Sequence, residues 1–480
     1  MKGKKNNVNN SQTEKCEFGR RNFLKAGAAG TALGALAIGN MALPKSAMAM
    51  AEGEKLNGPM ARPLEEFPHK VGPNYKPAKQ MDNVHDMSFF RNHPELTPKA
   101  MQFYRPEYKN ESGRTQYDHA LSGGAMQGCA EMSGPSMLGV PGIGLHHWEQ
   151  RSIKEKRFTL DMDYVSDHKY HFKDKKESAD MLKRAAQFYG ADLVGITHRD
   201  ERWDFSSFFN PMRDKEGKNP EFGWDEFPFI PKSVIVLAFE MDYEAMSAAP
   251  SYLAEAAAGE GYTKMTKSAY QLAIFLKQMG YQAVAAGNDI GLSIPYAIAA
   301  GLGEGSRMGC LVTYNYGPRV RLAKVYTDLE FVEYDKPVDF GVKHFCESCM
   351  RCADACPAKA ISKDKHMTNK PWFNSSWEEQ FGGGAYTTTD VEKFYVDAKK
   401  CFEFWCKDNN GCGTCITSCP YNKPDFWHHR LVDKLNHLMP GPVHSFMREM
   451  DKVFGYGNTF DPKAGKKFWR VKGRKFLGYK

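Results

Sequence analysis

The sequence predicts an α/β (α+β) core joined to a C-terminal module of bacterial ferredoxin type, on three observations. From Ser178, helical and strand-like runs alternate over about 160 residues, the pattern of a layered domain. Cys346 to Pro357 reads CESCMRCADACP, the C-x-x-C-x-x-C-x-x-x-C-P spacing that binds iron–sulfur clusters. Downstream, Cys412-Gly-Thr-Cys415-Ile-Thr-Ser-Cys419-Pro420 repeats most of that spacing, so two 4Fe-4S clusters are expected.

Residues 1–49 read as a leader. Arg20-Arg21-Asn22-Phe23-Leu24-Lys25 is a twin-arginine sequence, with Gly19 where serine or threonine is common. A Gly/Ala-rich stretch from Ala26 to Leu43 follows, and two overlapping A-x-A sites predict cleavage after Ala49 or Ala51. Glycines and polar residues dilute that stretch too far for a membrane span. Export by the twin-arginine route, which carries folded and cofactor-loaded proteins, is the expectation. Eight basic residues against Glu14 and Glu17 place most of the formal charge of +8 in this leader. No basic stripe remains elsewhere, which excludes nucleic acid as a partner.

The 480 residues, 25% charged and 42% apolar, suit two or three globular domains. Residues 50–175 are irregular, with Gly123 to Gly128 read as a loop. His146-His147-Trp148-Glu149 lacks a spaced third ligand and reads as surface rather than metal site. The core spans 176–340. Its first helix starts with Ser178 as N-cap and repeats Met181, Leu182, Ala185, Ala186 and Tyr189 at helical spacing before Gly190. Strands are expected at Leu193–Ile196, Val234–Phe239, Ala283–Ala286, Cys310–Tyr314 and Val325–Leu329. Helices are expected at Thr266–Met279, closed by Gly280 at C′, and at Ile294–Leu302.

The cluster module spans 341–430, and a tail with a helix-like Pro442–Phe454 spans 431–480. In crossed ferredoxin spacing, three cysteines of one run share a cluster with the last cysteine of the other. Cys346, Cys349, Cys352 and Cys419 thus form one set. Cys356, Cys412 and Cys415 belong to the other, whose remaining ligand is Cys401 or Cys406, because Asn409 holds the expected first position. Zinc favours isolated tetrahedral sites and fits this crossed pattern poorly. Cys129, Cys310 and Cys406 are too scattered for a disulfide framework. Between the runs, Trp372, Phe373, Trp377 and Tyr386 either line a substrate channel or pack.

At this point the chain resembles the respiratory reductive dehalogenases. The resemblance rests on Ala191-Asp-Leu-Val-Gly-Ile196, Lys232-Ser-Val-Ile235, Asp242-Tyr-Glu-Ala245, Gly287-Asn-Asp289, Ala300-Gly-Leu-Gly-Glu304, Gly317-Pro-Arg-Val-Arg321, Lys324-Val-Tyr-Thr-Asp328, Phe454-Gly-Tyr-Gly457, the cysteine runs and the leader. It implies a nitroreductase-like core that binds cobalamin or a related corrinoid base-off, with no protein ligand below the cobalt. The absence of a D-x-H-x-x-G run agrees. By matching position it implies Cys401, before Phe404-Trp405, as the fourth ligand of the second cluster. It also implies Tyr262 as proton donor, Arg321 as its cationic partner and Asn288 as a polar contact. A tyrosine, with a free pKa of about 10, can donate a proton at neutral pH, and a cation lowers the cost of its anion.

The implied reaction replaces halogen by hydrogen in a small organohalide as the last step of organohalide respiration. The implied partners are a small integral-membrane anchor subunit and a quinol-linked donor, with a homodimer allowed. The implied location is the outer face of the cytoplasmic membrane, peripherally attached. Two rivals share the cysteine runs: a cobalamin enzyme of the epoxyqueuosine reductase kind, and an exported ferredoxin-type carrier without catalysis. The leader argues against the first, since an exported protein does not meet tRNA. The pattern does not select among chloroethenes, chloroalkanes and chlorophenols, because small pocket differences are worth little energy.

Overall fold

The computed structural model describes residues 61–84, 107–133, 164–209, 217, 219–331, 333–377, 384–422 and 462–470. The expectations for 1–49, for His146 to Glu149, and for 442–457 lie outside these residues. All the described residues belong to one unit, Met60–Lys480.

The first long element corrects the sequence reading. Gly123 to Gly128 is not a loop but part of a helix, α1 (Gln116–Ser133). Thr115 N donates to Asp118 Oδ2 at 3.0 Å and Asp118 N to Thr115 Oγ1 at 3.2 Å, a reciprocal cap. Gly123 and Gly124 are tolerated because packing, not propensity, holds this helix. The next helix, α2 (Lys175–Phe188), is capped by Asp174, which accepts from the Lys176 and Glu177 N–H groups, rather than by Ser178. Ser178 instead lies buried within its first turn. Leu182 and Ala186 carry its apolar face, and Gly190, at φ 107°, closes it.

The strands β1 (Leu193–His198) and β2 (Ser233–Glu240) follow, then a short α3 (Tyr243–Met246) and the long α4 (Tyr252–Gln278). The expected helix at Thr266–Met279 is only the second half of α4. Its first half is rich in Ala and Gly, so apolar periodicity does not mark it. It begins at Ser251, whose Oγ accepts from Ala254 N, and ends before Gly280 at φ 83°. Gly259 lets α1 and α4 approach closely, since a Cβ there would stand 3.2 Å from Met126 N.

Next come β3 (Ala283–Ala286), α5 (Ser293–Ala299) and β4 (Val320–Thr327). The sheet order is β1-β2-β4-β3, and every pairing is antiparallel. Ile235 stands between Ile196 and Val325 in register. Its odd-numbered face, with Ile235, Leu237, Phe239 and Val325, packs on Leu182, Met265, Leu272 and Leu276. The even face, with Val234, Val236, Leu322 and Tyr326, packs on Trp203, Phe205, Tyr296 and Ile298. Central β2 is therefore apolar at almost every position, as a strand buried on both faces must be. Truncating Leu272, fully buried, would cost about 2–5 kcal/mol. The strand expected at Cys310–Tyr314 is shorter, Leu311–Val312, and pairs with Glu304–Gly305.

The cysteine module follows without a break. It comprises α6 (Val342–Ser348), α7 (Arg351–Ala355), α8 (Ala398–Asp408) and α9 (Thr414–Thr417). The α6 helix has no capping side chain of its own. Glu304 of the core accepts from Phe340 N, Val342 N and Lys343 N instead. Met241, Met246, Leu253 and Met308 share one apolar cluster with Cys352, Cys356, Ile416 and Cys419, which fixes the module on the core.

Candidate functional site

Three elements bring Tyr262, Asn288 and Arg321 together. Tyr262 lies on α4, Arg321 on the odd face of β4, and Asn288 just after β3. Gly261 makes this possible, because a Cβ there would stand 2.8 Å from Arg321 Cγ. The Arg321 guanidinium carbon lies 4.7 Å from the centroid of the Tyr262 ring. Arg321 Nε is buried with no hydrogen-bond partner among the described residues. Asn288 Nδ2 points at the Tyr262 hydroxyl from 3.5 Å, longer than an ordinary N–H···O bond.

Sequence reasoning gave no role to the residue that holds this loop. Lys324, on the opposite face of β4 and fully buried, donates to Gly287 O at 2.6 Å and Ser293 Oγ at 2.7 Å. Burial pulls its pKa down to about 8, while Asp289 and Asp204 act the other way. Asp289 in turn accepts from Gly287 N at 2.6 Å. The Lys324-Val-Tyr-Thr-Asp328 segment was the available signal, but a buried lysine cannot be told from an exposed one by spacing.

Beyond Ser293, on the even face of the sheet, lies a cavity of about 320 Å³. Its walls include Trp203, Phe205, Leu292 and Ile298, with His69 and Thr388 among the polar groups. His69 is buried with Nδ1 unpartnered among the described residues, and burial lowers its pKa to about 4, so it is neutral. Of the aromatics between the cysteine runs, Tyr386 lines this cavity. Trp377 packs with Met81, Val84, Phe402 and Cys406, and the exposed Trp372 donates to Tyr395 O at 3.1 Å.

The cysteines fall into two groups. Cys346 and Cys349 act electrostatically on Cys352, and all three act on Cys419. Cys412 and Cys356 act on Cys401, while Cys401 and Cys412, together with Cys352 of the first group, act on Cys415. Cys406 packs with Phe402 and Trp377. Asn409, where a first cysteine was sought, ends α8 in the left-handed region at φ 54°. Burial is the main force raising the thiol pKa values, to about 12 at Cys346 and upward at Cys352, Cys401, Cys415 and Cys419. Iron would replace those protons, since a coordinated thiol is deprotonated outright. Among the described residues, no three His, Cys, Asp or Glu side chains are placed to hold a single metal ion.

Cys310 joins the two parts of the site. It packs beside Cys401 and Cys415, and the Arg321 charge acts on it. The group of Cys356, Cys401, Cys412 and Cys415 is thereby linked to the Tyr262 site.

Residues 345–422 match the family model of a 4Fe-4S double cluster binding domain. The chain is 31% identical to a tetrachloroethene reductive dehalogenase of Dehalobacter restrictus (strain DSM 9455 / PER-K23), across 93% of this chain and 95% of that one. Another tetrachloroethene reductive dehalogenase, from Desulfitobacterium hafniense, is 30% identical over the same shares. A solved structure described as a reductive dehalogenase that suggests a mechanism for B12-dependent dehalogenation superposes with a TM-score of 0.62. It is 20% identical, and the match covers 85% of this chain and 50% of that one, so it speaks for the fold.

Proposed function

Because the chain belongs to the reductive dehalogenases, oxidoreductases acting on carbon–halogen bonds, we propose that it replaces halogen by hydrogen in a small organohalide with the help of a corrinoid. The observation that carries this reading is the convergence of Tyr262, Asn288 and Arg321 beside the cysteine module. Trp203, Phe205 and Leu292 would hold an apolar part of a corrinoid, and His69 and Thr388 its amides; the walls of this cavity do not include Tyr262, Asn288 or Arg321. A reduced corrinoid, when bound, would supply the electrons that break the carbon–halogen bond.

The chain's own residues do the rest. As the carbon–halogen bond breaks and halide leaves, two electrons and one proton enter and a carbon–hydrogen bond forms. Tyr262 gives that proton from its hydroxyl. Arg321, held against the ring with Nε unspent, stabilises the tyrosinate left behind, and Asn288 stands 3.5 Å from the hydroxyl as a polar neighbour. Lys324 holds the loop that carries Asn288.

Cys346, Cys349, Cys352 and Cys419 hold one cluster, and Cys356, Cys401, Cys412 and Cys415 the other. The second is the nearer to the Tyr262 site, through Cys310. The twin-arginine leader supports export to the outer face of the cytoplasmic membrane. Among the described residues no helix is long and apolar enough to cross a membrane. The family resemblance supports attachment through a separate anchor subunit fed by quinol. Chloroethenes are the first substrates to try, since the relatives are named for them.

Anaerobic reconstitution tests this reading. The loaded protein should hold about one corrinoid and about eight iron atoms per chain and release halide from tetrachloroethene under a low-potential donor. Iron without corrinoid or halide release would leave an electron carrier.

A further inference from the structure

Arg307 is a charge without an obvious purpose in the fold. Its side chain is fully buried. Nε donates to Cys346 O at 3.1 Å and Cys349 O at 3.0 Å, and the terminal nitrogens donate to Cys346 O at 2.6 Å, Ser362 O at 2.9 Å and Asp364 O at 2.7 Å. The guanidinium carbon lies 4.2 Å from the Phe394 ring centroid. All these acceptors are neutral carbonyls. Glu304, nearby in sequence, spends its carboxylate on the N–H groups that start α6.

Several other buried or half-buried cations here have anions; Lys393 instead donates to the Thr387 and Thr388 hydroxyls, and Arg321 lies against the Tyr262 ring. Arg319 pairs with Glu240, Arg199 with Asp204, and Lys324 has Asp289 and Asp204 in reach. An interior cation with no counter-charge costs several kcal/mol, and a fold retains one where an anion binds. Four thiolates around a 4Fe-4S core make such an anion, and one-electron reduction makes it more negative. Arg307 touches the carbonyls of two of the four cysteines and acts on Cys346 and Cys352, and at Cys346 its effect is larger than the opposing one of the Glu304 carboxylate.

The second cysteine group has different surroundings. The carboxylates acting on it are Asp397 at Cys401 and Asp408 at Cys412. Lys400 and Arg114 pair with them, leaving no surplus cation in that pair. Arg321 acts on Cys310.

We propose that Arg307 is the buried counter-ion of the cluster held by Cys346, Cys349, Cys352 and Cys419, and that it keeps this cluster at a higher reduction potential than the other. The inference rests on the ligand sets given above. A fixed positive charge in a low-dielectric site favours the more negative, reduced state. The higher-potential cluster is then the first of the two to hold an electron from the external donor.

The test is a redox titration of the whole reconstituted protein, followed by electron paramagnetic resonance, with Arg307→Gln and Arg307→Lys beside the native chain. The native chain should reduce in two steps. In Arg307→Gln the higher step should fall by at least tenfold in its equilibrium constant, about 59 mV for one electron, while the lower step stays. Arg307→Lys, which keeps the charge, should keep both. Unchanged steps in the Gln variant, or an equal fall in both, overturn the proposal. Where Gln blocks cluster loading, Lys decides: native potentials support the counter-ion, and failure to load overturns it in favour of hydrogen bonding alone. Native protein with far less than about eight iron atoms per chain refutes the ligand sets and the proposal together. Full iron with unmoved potentials refutes the proposal alone.

Discussion

Replacing Tyr262 by phenylalanine isolates the proton from everything else at the site. The ring stays, and with it the contact to the Arg321 guanidinium at 4.7 Å. What is lost is one hydroxyl whose described partner, Asn288 Nδ2, is 3.5 Å away. A contact that long contributes little, so stability should change by no more than about 0.5 kcal/mol. Loss of a positioned proton donor costs about 10²–10⁴-fold in rate, which is about 3–5 kcal/mol in barrier at 1.36 kcal/mol per tenfold. The two magnitudes differ several-fold, so activity can be read without a folding artefact. The assay is anaerobic halide release under a low-potential donor, with corrinoid and iron measured on the same sample. Both contents should match the native protein while halide release collapses. Release within about threefold of native, at full loading, would remove Tyr262 from the reaction.

Arg321→Met should slow halide release while leaving the thermal midpoint equal or higher, because it removes a buried, unsatisfied Nε; a clear fall in midpoint would mean that the guanidinium is structural. Lys324 is held near pKa 8 when folded, against 10.5 when free. Between those values only the unfolded chain keeps the proton, so stability should rise with pH across this window, and Lys324→Met should lack the rise in denaturant midpoints. Cys401→Ser should reduce iron to about half, whereas Cys406→Ser, whose site is among Phe402 and Trp377, should keep it; the opposite result exchanges their roles.

The fold was legible where burial is simple. Val234 to Phe239, apolar throughout, could only be a strand enclosed on both faces, and it is the centre of the sheet. Met181 to Tyr189 showed one apolar stripe because α2 buries one side. The first half of α4 and all of α1 were not legible. Their small residues face one another at close range, with Gly259 against Met126, so the signal is size rather than hydropathy. The cap at Thr115 and Asp118 marks the start of α1, while Gly123 and Gly124 read as a loop by propensity. The cap of α2 moved from Ser178 to Asp174 because both can accept hydrogen bonds, and only the backbone decides which is first.

Val320 to Lys324 was missed as strand for the reason that makes it interesting chemically. Two cations, Arg321 and Lys324, interrupt it, and charge in a strand reads as surface. In the structure the strand's alternation divides them, Arg321 toward Tyr262 and Lys324 toward Gly287 and Ser293. One strand thus reaches both the hydroxyl and the loop that aims Asn288 at it. A similar logic hid Arg307, which lies between Ser306 and Met308 with no periodic signal. Its meaning depends on carbonyls contributed from 346–364, beyond any local window. Buried cations are costly, so their positions in this chain mark where negative charge must appear: on the tyrosine during turnover, and on a cluster when it is reduced.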